Sequence, residues 1–260
     1  MLNINMNTLL KVNNLIKSFP VGHRWLIPQY QRALGPVSFS LDEQQTLSVI
    51  GNAGSGKTTL ARILVGAEQR TSGQIILEGE KLEAKKHIQR CSAIRMIFQD
   101  ANTSLNPRMR IGNLLEEPLK FSTDMSAKDR EQDVYTKLRQ VGLLPEHAHF
   151  YPHMISGGQK QRIAVARALM LNPRIIVADE ALSVLDMSVR SQIINLLLRL
   201  QQEMGLSYIF VSHNINVVRH ISDKVVVLDQ GEVVEYGEAE QVFNAPKHDQ
   251  TRKLLYTLGH

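Results

Sequence analysis

The sequence predicts an α/β fold built on a mainly parallel sheet. Three observations carry that expectation. Thr46-Leu47-Ser48-Val49-Ile50 is a β-rich run broken at Gly51, and Lys57 to Val65 follows with Leu60, Ile63 and Leu64 at helical spacing, so the segment reads strand, glycine loop, helix. Two further apolar runs, Ile175 to Ala178 and Tyr208 to Val211, read as buried strands that end in Asp179-Glu180 and Ser212-His213. Helical stretches, Gly158 to Leu169 and Ser188 to Met204, alternate with them, and this rhythm implies parallel strands with functional residues at their C-terminal ends.

The other elements follow in order. Leu9 to Val12 and Val37 to Leu41 have strand character, and the Pro-, Gly- and aromatic-containing stretch between them, Pro20 to Pro36, reads as a long loop. Between about Asn102 and Ser156 the texture changes, with Pro107, Pro118, Pro145 and Pro152 separating polar helical pieces such as Ala127 to Val141. This is a helical insertion. Near the C-terminus, Lys224 to Leu228 and Glu232 to Tyr236 form a hairpin across Asp229-Gln230-Gly231. The sequence shows no internal repeat.

Composition narrows the function classes. The 260 residues suffice for one large domain or a core with a smaller lobe, and 43% hydrophobic against 21% charged residues is ordinary globular usage. Cys91 is the only cysteine, which excludes an intrachain disulfide framework, a CxxC redox pair and a four-cysteine zinc site. Thirty Lys and Arg against 25 Asp and Glu give a formal +5, a mild surplus that argues for no nucleic-acid partner. No apolar run approaches the roughly 18 residues of a membrane span, and the opening MLNINMNTLLKVNN has no signal-peptide pattern, so the expected location is cytoplasmic.

Gly51-Asn52-Ala53-Gly54-Ser55-Gly56-Lys57-Thr58 is a phosphate-loop pattern in its proper place between strand and helix. Its glycines let consecutive backbone N–H groups converge on phosphate oxygens, Lys57 reaches the β and γ phosphates, and the Thr58 hydroxyl suits Mg²⁺. An acidic pair at a strand end is by itself most often a solvated turn or cap. With a phosphate loop upstream, Asp179 suits holding Mg²⁺ and Glu180 suits polarising an attacking water. His213 could contact a γ-phosphate or be structural, and Gln99, after Met96-Ile97-Phe98, could orient water or Mg²⁺ or be a plain strand-end amide. Ser156-Gly157-Gly158-Gln159 opens a helix and offers a second anion cradle. Two cradles so far apart in sequence suggest a nucleotide site shared between two chains.

GNAGSGKT, IFQD, ISGGQKQRIAVARAL, IIVADEALSVLD and FVSH, in this order, resemble the nucleotide-binding subunits of ABC transporters over nearly the whole chain. The resemblance implies a P-loop NTPase of ABC type, residues 1–260 forming a single nucleotide-binding domain. Its parts would be a RecA-like core, an antiparallel β subdomain, a helical subdomain at about 102–160 and a C-terminal tail at about 238–260. It implies that ATP is bound by Gly51, Asn52, Ala53, Gly54, Ser55, Gly56, Lys57, Thr58 and Thr59, and that Ser156, Gly157, Gly158 and Gln159 act on the nucleotide of a second subunit. Thr58, Gln99 and Asp179 would hold Mg²⁺, with Glu180 the catalytic base, His213 the switch histidine, Gln99 the Q-loop residue and Ser183 to Asp186 the D-loop. Phe19 stands where the family places an aromatic on adenine; a buried strand-end phenylalanine is the alternative.

The segment Phe98 to Leu119, FQDANTSLNPRMRIGNLLEEPL, and the tail PKHDQTRKLL are similar to the oligopeptide and dipeptide uptake ATPases, most of all to the second ATP-binding subunit of Sap-type peptide transporters. That resemblance implies peripheral attachment to the cytoplasmic face of the inner membrane and two membrane-spanning permease subunits. It also implies a second ATP-binding subunit, a heterodimer being favoured over a homodimer, and indirectly a periplasmic peptide-binding protein. ABC-type ATPases that act on nucleic acid or ribosomes commonly carry two modules, a coiled-coil insertion or a basic arm, none of which is present. A mainly regulatory subunit is the other alternative. Ile155, Ala181 and Asn214 depart from the usual leucine, proline and aspartate, and the loss of the proline is expected to loosen the turn after Glu180.

Overall fold

The computed structural model describes residues 8–24, 27–83, 90, 92–99, 104–183 and 185–258. The chain forms two compact units, Met1–Arg90 with Ser207–His260, and Cys91–Leu206.

In the first unit, β1 (Thr8–Arg24) and β2 (Ile27–Asp42) pair antiparallel, and β4 (Ser72–Leu77) with β5 (Glu80–Lys81) extends them in the order β2-β1-β4-β5. Of the expected loop from Pro20 to Pro36, residues 20–24 and 27–36 are instead strand, the outer part of this ribbon, with Phe19 opposite Gln31, Pro20 opposite Tyr30 and Gly22 opposite Gln29; Trp25 and Leu26 lie outside the described residues. The sequence hides it for a physical reason. Over residues 20–22 and 29–32 the side chains on both faces are exposed, Val21 at 56% and Tyr30 at 64%, so the two-residue alternation that marks a half-buried strand is missing there. The prolines add a turn-like signal, although a strand with an unpaired side tolerates a missing N–H.

The other strands of this unit are β3 (Thr46–Gly51), β8 (Ser207–Val211), β9 (Lys224–Asp229) and β10 (Glu232–Glu238). The strand β3 runs parallel to both β8 and β9, and β9 turns back antiparallel into β10, the hairpin expected. Every residue of β3 is buried, which explains its unbroken apolar run. Helix α1 (Lys57–Val65) buries Leu60, Ile63 and Leu64, the residues at helical spacing. The short helix α6 (Ile215–Ile221) and the C-terminal α7 (Ala239–Asn244) and α8 (Asp249–Leu258) bring Val218, Val242, Phe243 and Leu254 onto Ile50, Val225 and Val227. Polar ties hold the start of β3: Thr46 N–H donates to Asp223 at 2.7 Å, and the Ser48 and Ser222 hydroxyls meet at 2.6 Å.

In the second unit, β6 (Ile94–Ile97) and β7 (Ile175–Asp179) pair in parallel, Ile94 beside Ile175 and Ile97 beside Ala178. Helices α2 (Ile111–Ser122), α3 (Ala127–Gln140), α4 (Gly157–Leu169) and α5 (Met187–Met204) complete it, with 3₁₀ turns at Pro145–His149 and Pro152–Met154. Pro118 does not separate two pieces as expected but lies inside α2. The ring removes one backbone donor, and burial of Ile111, Leu114, Leu115 and Leu119 along one face keeps the helix continuous. Lys137 of α3 is buried, its Nζ donates to Asn172 Oδ1 at 2.6 Å, and burial pushes the ammonium below its ordinary range.

Glu116 joins the two insertion helices by accepting from Lys120 at 2.9 Å and Arg130 at 2.8 Å. Burial works to raise its carboxyl, but these hydrogen bonds outweigh it and hold the group below its ordinary value of 4.5. A depressed carboxyl stabilises the fold above the unfolded-state value, and that contribution is lost as pH falls through the folded one. Glu116→Gln is expected to cost up to about 1 kcal/mol at neutral pH and to flatten stability between about pH 5 and 3, read by urea denaturation across that range.

Candidate functional site

The phosphate-loop residues form one continuous loop and helix start in the first unit. Gly51 ends β3, Asn52, Ala53 and Gly54 are exposed, and Gly56 is the N-cap of α1 with left-handed φ of 99° and no side-chain cap. The loop is braced from two sides. A Cβ at Gly51 (φ 153°) would stand 2.1 Å from the Leu228 carbonyl oxygen of β9, and one at Gly56 would stand 2.8 Å from the Ala33 oxygen of β2. Ser55 carbonyl accepts from Gly231 N–H at 3.1 Å, and Gly231 carbonyl accepts from Gly35 N–H at 2.6 Å. The Ser55 hydroxyl is itself buried.

Lys57 is only 7% exposed and its ammonium donates to the Gly51 and Asn52 carbonyls at 2.8 Å each, so the charge sits at the centre of the loop. Thr58 is exposed on the first turn of α1 and Thr59 is half-buried beside it. An uncapped helix start, an open surface at Gly54 and a buried cation make a cradle that fits phosphate oxygens.

Phe19 is half-buried within β1 rather than at a strand end, since β1 runs on to Arg24. The Lys17 ammonium stands 4.5 Å over its ring and pairs with Glu68 at 2.7 Å. His213 follows β8 and is exposed. The Asn214 side chain next to it accepts from Val217 N–H at 3.1 Å and caps α6, so asparagine supplies the cap that an aspartate would.

The second unit brings Gln99 and Glu180 together. The parallel pairing of β6 and β7 puts both at corresponding strand ends, and Gln99 Nε2 donates to Glu180 Oε2 at 3.3 Å. Asp179, the last residue of β7, is buried to 8% exposure. Glu180 has a left-handed φ of 48°, and its carbonyl accepts from both the N–H of Ser183, at 3.0 Å, and its hydroxyl, at 2.8 Å. Gln161 Nε2 donates to the Ala181 carbonyl at 3.0 Å, and Arg190 donates to those of Leu182 and Leu185 at 3.2 and 2.9 Å.

Ser156 is the N-cap of α4: its hydroxyl accepts from Gln159 N–H at 3.3 Å, while Gln159 Oε1 accepts from Ser156 N–H at 2.9 Å. This reciprocal capping box uses the serine hydroxyl that the sequence assigns to an anion cradle. Gly157 and Gly158 remain at the helix start, and a cavity of about 390 Å³ joins Ser156 to Gln159 with Arg162, Leu185, Asp186, Val189 and Gln192. Ile155 is buried, as a leucine there would be.

Sequence reasoning missed Gln161 and Arg190, whose side chains tie down the turn after Glu180. Gln161 had a legible signal, a polar residue on the apolar face of α4 and only 2% exposed. Arg190 had none, because an arginine in the first turn of a helix reads as an ordinary solvated charge.

A family model described as "ABC transporter" matches residues 34–183, more than half of the chain. The chain belongs to the ABC transporter family. Among relatives of this ABC protein, the "Peptide transport system ATP-binding protein SapF" of Salmonella typhimurium is 49% identical over 255 residues, covering 98% of this chain and 94% of the relative. The "Putrescine export system ATP-binding protein SapF" of Escherichia coli K12 is 48% identical with the same coverage. The ATP-binding cassette MJ0796, solved as a dimer in a post-hydrolysis state bound to ADP and Pi, superposes with a TM-score of 0.76 at 30% identity, covering 89% of this chain and 99% of that one. Hydrolysis of ATP coupled to transport is the activity of the family, and among the described residues no helix is long and apolar enough to cross a membrane.

Because Leu228 and Ser55 leave no room at Gly51, Gly51→Ala is expected to displace the loop and weaken binding of a fluorescent ATP analogue at least about tenfold, measured on the full-length chain by titration.

Proposed function

We propose that this chain is the ATP-hydrolysing motor subunit of a peptide-uptake transporter, held at the cytoplasmic face of the membrane by two permease subunits and paired with a second, different ATP-binding subunit. The observation that supports it most directly is the braced phosphate loop with the Lys57 ammonium at its centre. The names of the peptide-transport relatives supply the cargo class.

In this reading Gly51 to Thr59 wrap the phosphates of ATP, Lys57 shifts from the loop carbonyls to the β and γ oxygens, and Phe19 offers its ring to adenine. Ser156, Gly157, Gly158 and Gln159 act on ATP held by the partner subunit. The Thr58 hydroxyl and the Asp179 carboxylate are hard oxygen donors that fit Mg²⁺, with Gln99 as a further oxygen ligand. When bound, Mg²⁺ neutralises charge that builds on the phosphate oxygens. Glu180 takes the proton of the attacking water, its carboxylate oriented by the Gln99 amide and its backbone by Ser183. His213, exposed beyond β8, contacts the γ-phosphate.

Lys57→Ala is expected to abolish ATP binding, whereas Glu180→Gln binds ATP and slows hydrolysis about 10² to 10⁴-fold; hydrolysis near wild type in the latter would remove Glu180 from the role of base. A tagged Glu180→Gln chain trapped with Mg²⁺ and ATP should carry two permeases and a second ATPase through gentle solubilisation, identified by mass spectrometry.

The relative named for putrescine export supports a second reading, in which the cargo is a small polyamine leaving the cell. Uptake of labelled peptide and efflux of labelled putrescine, compared in cells with and without Lys57→Ala, separate the two.

A further inference from the structure

We propose that His147 is a positioning residue for Gln159, and through it for the N-terminus of α4; the inference rests on the reading that Ser156 to Gln159 act on nucleotide. The argument is one of donors and acceptors. Gln159 Oε1 accepts from Ser156 N–H at 2.9 Å, and because an N–H can only donate, the oxygen end of the amide is fixed there. The NH₂ end is thereby turned to His147, with Gln159 Nε2 and His147 Nε2 3.3 Å apart. An amide nitrogen donates and does not accept, so His147 Nε2 must carry a lone pair and no proton.

The neutral ring then has its proton on Nδ1, and Nδ1 lies 3.0 Å from the Leu144 carbonyl oxygen, an acceptor. The Leu144 N–H, 3.2 Å from the same nitrogen, would suit only the other tautomer, whose Nε2–H would face the amide donor of Gln159. Phe150, with ring centroids 5.3 Å apart, holds the imidazole from the side. The result is a directed chain in which Nδ1–H donates to Leu144, Gln159 donates to Nε2, and Ser156 N–H donates to Gln159. Each bond dictates the sense of the next, and the chain fixes the side chain that completes the capping box.

In this role His147 acts through Gln159 alone. The test replaces an acceptor by an acceptor, by a ring without one, and by a donor. In the assembled transporter with full-length variants, His147→Phe and His147→Lys are expected to lower ATP turnover about tenfold, while His147→Gln, whose Oε1 can accept, stays within about twofold of wild type. Binding of a fluorescent ATP analogue by the phosphate loop should be unchanged in all three. Full turnover in His147→Phe, or a Gln variant as slow as the Phe variant, overturns the proposal. If any variant melts early, the Gln and Lys pair, both flexible and polar, still decides it: equal rates overturn the role, and a fast Gln with a slow Lys supports it. Gln159→Ala identifies where a failure lies. A slow Gln159→Ala beside a normal His147→Phe removes only the positioning role, whereas a normal Gln159→Ala removes the nucleotide-facing reading and the positioning role with it.

Discussion

A clearance between two stretches of backbone governs the first unit. The carbonyl of Leu228 comes so close to Gly51 that no side chain fits between them, and the carbonyl of Ala33 does the same at Gly56. These contacts let β9 and β2 press the loop into a narrow curl whose carbonyls converge on the Lys57 ammonium. A buried cation needs such partners, because burial without them would cost several kcal/mol. The same curl aims the start of α1 outward. Fold and anion site are thus one arrangement in this unit: the buried strand β3 delivers the chain to the curl, and the hydrophobic cluster under β9 holds the carbonyl that shapes it.

The second unit solves a different problem, which is to hold polar side chains at turns and helix starts in fixed directions. It does so with hydrogen bonds local to each turn. Ser183 closes the turn after Glu180, Gln161 and Arg190 tie its continuation, and Gln159 and Ser156 cap each other. An alanine can stand after Glu180 because side chains from α4 and α5 supply the restraint that a proline would have given through its ring.

The sequence made most of this legible where burial is one-sided or complete. The run of β3, the spacing in α1, the apolar strand before Asp179 and the hairpin around Gly231 are all found as expected, since each is a pattern of water exclusion. The outer ribbon at residues 20–22 and 29–32 was not legible, because side chains solvated on both faces leave no periodicity. Pro118 misled because a local penalty of a few kcal/mol gives way to a buried face of four apolar residues. In the candidate site, residues that carry charge or a glycine conformation stand out in the sequence. Residues that act on backbone carbonyls, such as Arg190, or through another side chain, such as His147, do not, since their role exists only once the chain has folded.

The relay from Gly35 N–H to the Gly231 carbonyl, and from Gly231 N–H to the Ser55 carbonyl, divides the ribbon into two kinds of sequence. Ala33, Leu34 and Gly35 are locked to the curl by main-chain contacts and clearances, so this stretch can accept neither insertion nor bulk. Beyond them, at residues 20–22 and 29–31, the two strands pair with each other and their side chains face solvent, so a change of surface there leaves the clearances around the loop intact. A single pair of strands thereby combines a root fixed by main-chain contacts with a solvated stretch that answers only to its partner strand.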